Sequence, residues 1–120
     1  MDFTSGRAVG PRLDNDALAH GDLRNNVWGT LLTATGPRQA AELFRAAGWA
    51  VRRSSWTEFE AEHTFAQLEV LPTDPVTFSG FVDPDRVGVL LQALATMGTP
   101  YSIEYEDPEG RENVYRSGSE

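Results

Sequence analysis

The stretch VTFSGFVDPDRVGVLLQALATMGTPYSIEYE, residues 76–106, decides the fold. Its first seven residues place Val76, Phe78 and Val82 on one side of an extended chain, which predicts a strand over Val76–Val82. Asp83-Pro84 follows, a capping carboxylate and a proline at the first helical position. The period then changes. Val87, Leu90, Leu91 and Leu94 fall at i, i+3, i+4 and i+7, one face of a helix that Gly98 stops. Tyr101, Ile103 and Tyr105 return to alternation in a strand over Tyr101–Glu106.

Downstream, Asp107-Pro-Glu-Gly110 predicts a turn, and Arg111–Arg116 its partner strand. Upstream, the same order of elements occurs. Val27–Thr33 predicts a strand, and Thr35-Gly36-Pro37 offers a capping hydroxyl and a first-turn proline. Ala40, Leu43, Phe44 and Ala47 form a helical face, and Gly48 sits in the position that ends the helix. Trp49–Arg53 is extended. Trp56–Glu62 and Phe65–Leu71 alternate around a turn at His63–Thr64, which predicts a hairpin before the loop Pro72–Pro75.

The two passes are in register. Pro37 and Pro84 are 47 apart, as are Leu43 and Leu90, while Gly48 and Gly98 are 50 apart. Glu58-Phe59-Glu60 matches Glu104-Tyr105-Glu106 at an offset of 46, and Gly29 and Gly80 lie in the corresponding first strands. Each unit is β-α-β-β, about 26–71 and 76–116, and neither can bury its helix face and its sheet face alone. The expected fold is therefore α+β: duplicated β-α-β-β units in a mostly antiparallel sheet of about six strands, with two helices on one face. In its order of elements, residues 26–116 resemble ferredoxin-like and related α+β sandwiches. That resemblance implies topology and carries no functional motif. Residues 1–25 are expected to form a flexible or weakly structured arm with a helical turn near Asp16–His20, and Ser117–Glu120 a frayed tail.

A length of 120 residues with 40 % apolar composition suits one domain with one core. No cysteine is present, which excludes disulfides, thiolate metal sites and a cysteine nucleophile, and agrees with a cytoplasmic setting. The net charge of −8 disfavours nucleic acid and anionic membranes as partners. All ten basic residues are arginine, as a GC-rich genome would produce.

The most informative constellation is acidic. Glu58, Glu60 and Glu62 alternate along one predicted strand, and Glu104 and Glu106 along its counterpart. Residues two apart share a strand face. Trp56 has the parity of the first three. If helices cover only one side of the sheet, these six residues share the other side. As a solvated face they would deter edge-to-edge aggregation. As a site they would dock a basic protein partner, with Trp56 as anchor. Trp28, Trp49 and Val51 are assigned to the core. His63 follows the glutamates but falls in a turn, and His20 lies in the arm, so no metal site is assigned. The serines lack a nucleophile-elbow context and the glycines make no phosphate loop. No catalytic residue or cofactor is assigned.

The expectation is a non-enzymatic interaction module of inhibitor or immunity-like character. The alternatives are a small-ligand or metal-binding module with a pocket between sheet and helices, and a homodimer paired through exposed strand edges.

Overall fold

The computed structural model describes residues 2–117, so residues 118–120 of the expected tail lie outside the described residues. In chain order the elements are α1 (Asn15–Leu18), β1 (Val27–Leu31), α2 (Pro37–Ala46), β2 (Ala50–Arg53), β3 (Phe59–His63), β4 (Ala66–Leu71), β5 (Val76–Val82), a 3-10 turn (Pro84–Arg86), α3 (Val87–Thr96), β6 (Tyr101–Glu106) and β7 (Glu112–Arg116). The class is α+β: one seven-stranded antiparallel sheet, in the order β2-β3-β4-β5-β1-β6-β7, with a few short helices. The seventh strand arises because Ala50–Arg53 pairs along β3 as a strand of its own. The two β-α-β passes differ in reach. From β1 through α2 to β2 the chain crosses three strands, whereas from β5 through α3 to β6 it crosses only β1. Glu58-Phe59-Glu60 and Glu104-Tyr105-Glu106 therefore sit in different places relative to the central strands.

The centre is the β1–β5 pair, with Val27 opposite Gly80 and Gly29 opposite Phe78. One face of the sheet carries Val27, Leu31, Val76, Phe78, Leu68, Val70 and Ile103, all at most 1 % exposed. Ala40, Ala41 and Phe44 of α2, and Leu90 and Leu94 of α3, complete the same cluster, so both helices cover that face. Phe44 makes edge contacts with Phe78 and Trp49, at ring-centroid distances of 6.0 and 5.0 Å. Each such phenyl ring contributes roughly 1.5–3 kcal/mol when fully buried.

Local signals explain the ends. Asp83 accepts from the Asp85 N–H at 2.9 Å, with Pro84 at the first position of the turn. At α2 the cap differs from expectation. No hydroxyl caps the helix; instead Gln39 reaches back and its carbonyl accepts from the Thr35 N–H at 2.8 Å. Gly48 and Gly98 end their helices at φ of 97° and 73°, left-handed values that suit glycine. β3 starts later than alternation suggests. The N–H groups of Ser54 and Ser55 both donate to the Glu58 carbonyl, and this turn holds Trp56 and Glu58 outside the strand.

The N-terminal segment packs against the sheet. Phe3 is buried and meets Phe59 at 5.1 Å, under the Arg45 guanidinium at 4.0 Å. The Arg53 N–H, on the outer edge of β2, donates to the Thr4 carbonyl at 2.7 Å. Asn26 then extends β1 with its side chain: its amide donates to the Val82 carbonyl and its carbonyl accepts the Val82 N–H, both at 2.8 Å.

A Cβ on Gly29 would lie 2.2 Å from the nearest atom of the Phe78 ring. Gly29→Ala must therefore drive that ring out of its core position. Overpacking of this kind should cost about 1–3 kcal/mol, measured as a lower urea midpoint at unchanged slope. An unaltered midpoint would show that the ring has room to move.

Candidate functional site

The face of the sheet away from the helices is a set of cross-strand rows, because every pair is antiparallel. Its central row runs Arg52, Glu60, Glu69, Ser79, Trp28, Glu104, Val114, one residue from each strand. Trp28 stands at the middle of the molecule in this row and is 39 % exposed. Beside it is a groove of about 330 Å³ whose walls include Trp28, Thr30, Leu71, Thr77, Ser102 and Glu104. As a large aromatic, Trp28 is expected in the core with Trp49 and Val51. The structure corrects this: Trp28 is one residue out of phase with buried Val27 and Leu31, so parity was the signal that could have found it. Trp49 and Val51 are buried as expected.

The six residues expected to share this face are divided by the structure. Glu60 and Glu104 lie in the same row, four strands apart. Glu60 is paired with Arg52 at 3.2 Å. Glu58 lies at the β2–β3 turn and accepts from the Ser55 hydroxyl at 2.8 Å. Trp56 belongs to that turn and is 91 % exposed, away from the Trp28 groove. Glu62 is 9 % exposed because the N-terminal segment lies on it. It accepts from the Leu13 N–H at 2.9 Å and faces Arg12 at 3.6 Å. Glu106 is at the far end of β6, beside the Asp107–Gly110 turn.

Glu69, which alternation left unremarked, joins the row. Burial raises its pKa above the usual glutamate value, opposed by a 2.6 Å hydrogen bond from the Ser54 hydroxyl and reinforced by repulsion from Glu60 and Glu58. The β3–β4 side of this face therefore holds an excess of negative potential. Phe81 has the same parity but is 3 % exposed, and Leu23 and Asn25 of the N-terminal segment lie beside it. The open part of the face is the Trp28 region.

A second constellation was hidden in the arm. The His20 Nε2–H donates to Asp83 Oδ1 at 2.8 Å. Asp83 is 1 % exposed and also accepts from Arg86 Nε at 2.8 Å. The two terminal nitrogens of Arg86 continue to both oxygens of Asp14, at 2.8 and 2.7 Å. Asp14 in turn caps α1 through the Ala17 N–H. The hydrogen bonds from Arg86 and Ala17 pull the Asp14 pKa down to about 2. Asp83 is also lowered: burial alone would raise it, but the Asp85 N–H, Arg86 and His20 outweigh that. Donor atoms of His20, Asp83 and Asp85 lie within 4.8 Å of one another, a spacing compatible with a divalent cation. Yet Arg86 already neutralises Asp83, and an ion would have to displace the His20 hydrogen bond. This network works as a clasp joining the N-terminal segment to the start of α3. It borders a cavity of about 530 Å³ lined in part by His20, Arg24, Phe81 and Glu106.

His63 is half-buried on the core side, its ring 5.4 Å from Trp49 and 4.9 Å from Phe65. Burial lowers its pKa, and Nδ1 accepts the Thr64 N–H at 2.9 Å. It faces away from Glu60.

No family model, no curated protein and no solved structure matches this chain.

The clasp sets a pH dependence. Asp14 and Asp83 are more acidic in the fold than in the unfolded chain, so their contribution is complete above the ordinary aspartate value of 3.8 and is lost as pH falls towards about 2. Arg86→Gln should lower the melting temperature at neutral pH by several degrees and flatten its decline through that acidic window, as followed by circular dichroism. A variant with the wild-type acid slope would show that the clasp adds nothing to stability.

Proposed function

We propose that this chain is a non-enzymatic interaction module that docks a basic protein partner on the open sheet face around Trp28. The observation that carries this reading is the central row. A half-exposed indole stands on a rigid strand at the middle of the sheet, with Glu104 directly opposite it and Glu69 beyond Ser79 on the other side. Indoles that are partly desolvated and held rigidly make the strongest interface anchors. Acidic groups around such an anchor steer a basic partner and set its orientation. Burial chiefly raises the pKa of Glu69, and a basic group docked beside it would relieve the lesser repulsion from Glu60 and Glu58. Glu58, Glu60 and Glu104 would form the rim on this reading, and Trp56 at its separate turn a peripheral contact.

An inhibitor or immunity-like role is consistent with the net charge of −8, and a cytoplasmic setting with the absence of cysteine. The scaffold we infer is ferredoxin-like at its centre. Support comes from the order β4-β5-β1-β6 and from the β1–β5 register, in which a two-fold rotation exchanges the Val27–Gly80 and Gly29–Phe78 pairs. On that view β2–β3 is an inserted hairpin and β7 an added edge.

A second reading is a small-ligand module. Its support is the cavity of about 530 Å³ beside His20, at the end of the sheet rather than between sheet and helices. A ligand held there would raise the melting temperature by mass action.

Immobilised wild type, Trp28→Ala and Glu104→Arg should separate the readings when exposed to lysate. A basic protein retained by wild type and released by salt is expected, with affinity reduced about 30-fold or more by Trp28→Ala, as for an interface hot spot. Glu104→Arg should lose it as well, both variants melting as wild type. Equal retention by all three, or none by wild type, would overturn the docking face.

A further inference from the structure

The two edges of the sheet are finished differently. At β2, the outward N–H of Arg53 is taken by Thr4. At β7, the phase of the ladder is set by two bonds that bracket it: the Asp107 N–H to the Arg111 carbonyl at 2.9 Å, and the Ser117 N–H to the Tyr101 carbonyl at 3.0 Å. Main-chain groups alternate in direction along a strand. Arg111, Asn113 and Tyr115 therefore turn theirs towards β6, and Glu112, Val114 and Arg116 turn theirs outward. Among the described residues no hydrogen bond reaches those outward groups. Glu112, Val114 and Arg116 are all exposed, Val114 at 54 %.

We propose that β7 is a homodimerisation edge, at which a second copy of this chain adds its own β7 antiparallel about Val114. The sequence of the strand, Glu112-Asn-Val-Tyr-Arg116, is self-complementary in that arrangement. Val114 lies opposite Val114 of the second copy, and Glu112 opposite Arg116, twice over by symmetry. All three outward residues then fall at hydrogen-bonded positions, each exchanging both main-chain bonds with the other copy. A shift by one outward position in either direction loses part of the ladder and both charge pairs. Charges of a single sign would protect an edge from pairing. Opposite charges two residues either side of the strand centre select one antiparallel register of the same strand instead. The other face agrees: Asn113 meets Tyr115 of the second copy, and Tyr115 is already packed against the core. The two sheets become one continuous sheet, with both Trp28 rows aligned along it. This inference uses the main-chain groups of an edge two strands from Trp28 and does not rest on the docking reading.

Sedimentation equilibrium across a wide concentration range, at physiological ionic strength where the repulsion between acidic chains is screened, tests it. Wild type should show a concentration-dependent mass approaching twice that of the chain. Glu112→Arg places arginine opposite Arg116 and should raise the dimer dissociation constant on the order of tenfold. Adding Arg116→Glu restores opposite charges and should restore the wild-type constant. Val114→Pro removes only an outward N–H, which an edge strand tolerates, and should leave a folded monomer with the wild-type circular dichroism spectrum. A wild type that stays monomeric throughout, or a dimer indifferent to the single reversal, would overturn the proposal.

Discussion

The ring of Phe78 occupies the space that a side chain at residue 29 would need. Because residue 29 is glycine, the two central strands can pair with Phe78 lying over β1, and the same ring presents an edge to Phe44 of α2. Phe44 then meets Trp49 at the start of β2, and Trp49 meets Phe65 at the β3–β4 turn. A chain of aromatic contacts thus runs from the centre of the sheet through the first helix to the hairpin. The rest of the fold hangs on that close approach, since interiors packed at crystal-like density leave no spare volume for a displaced ring.

The N-terminal segment is the second organising element. It has few large apolar groups and no periodicity, yet it is tied down at several points: Phe3 under Arg45, Thr4 on β2, Leu13 on Glu62, and the Asp14–Arg86–Asp83–His20 clasp. Its course decides what remains open. It occupies the β2 edge and lies over Glu62 and beside Phe81, leaving the Trp28 groove and the β7 edge exposed. A segment with little core of its own therefore selects which parts of the sheet stay open to solvent.

Charge acts at two scales. Over the whole chain, the net charge of −8 sets a negative overall potential. On the sheet, individual glutamates differ according to what lies beside them: Glu60 against Arg52, Glu62 under the N-terminal segment, Glu69 half-buried among like charges, and Glu104 exposed beside Trp28. These four glutamates look alike in sequence but are in different electrostatic environments, and they differ in how far they are open to solvent.

The amino-acid sequence by itself determined the α+β class, the ends of the helices and the alternation of most strands, because these follow from local periodicity, prolines, glycines and caps. Asp83-Pro84, Gly48 and Gly98 were legible for that reason. Val76–Val82 and Tyr101–Glu106 were legible to the residue. It also showed which strand residues share parity, enough to bring Glu60 and Glu104 to one face. Only the tertiary structure decided the neighbours. Strand order, the Glu69–Trp28–Glu104 row, the burial of Glu62 and the clasp from His20 to Asp83, 63 residues away, depend on pairings between distant segments. Local sequence contains no term for such contacts. Trp28 marks the boundary. Its parity with respect to Val27 and Leu31 was written in the chain, but its exposure depended on both helices packing on the opposite face of the sheet.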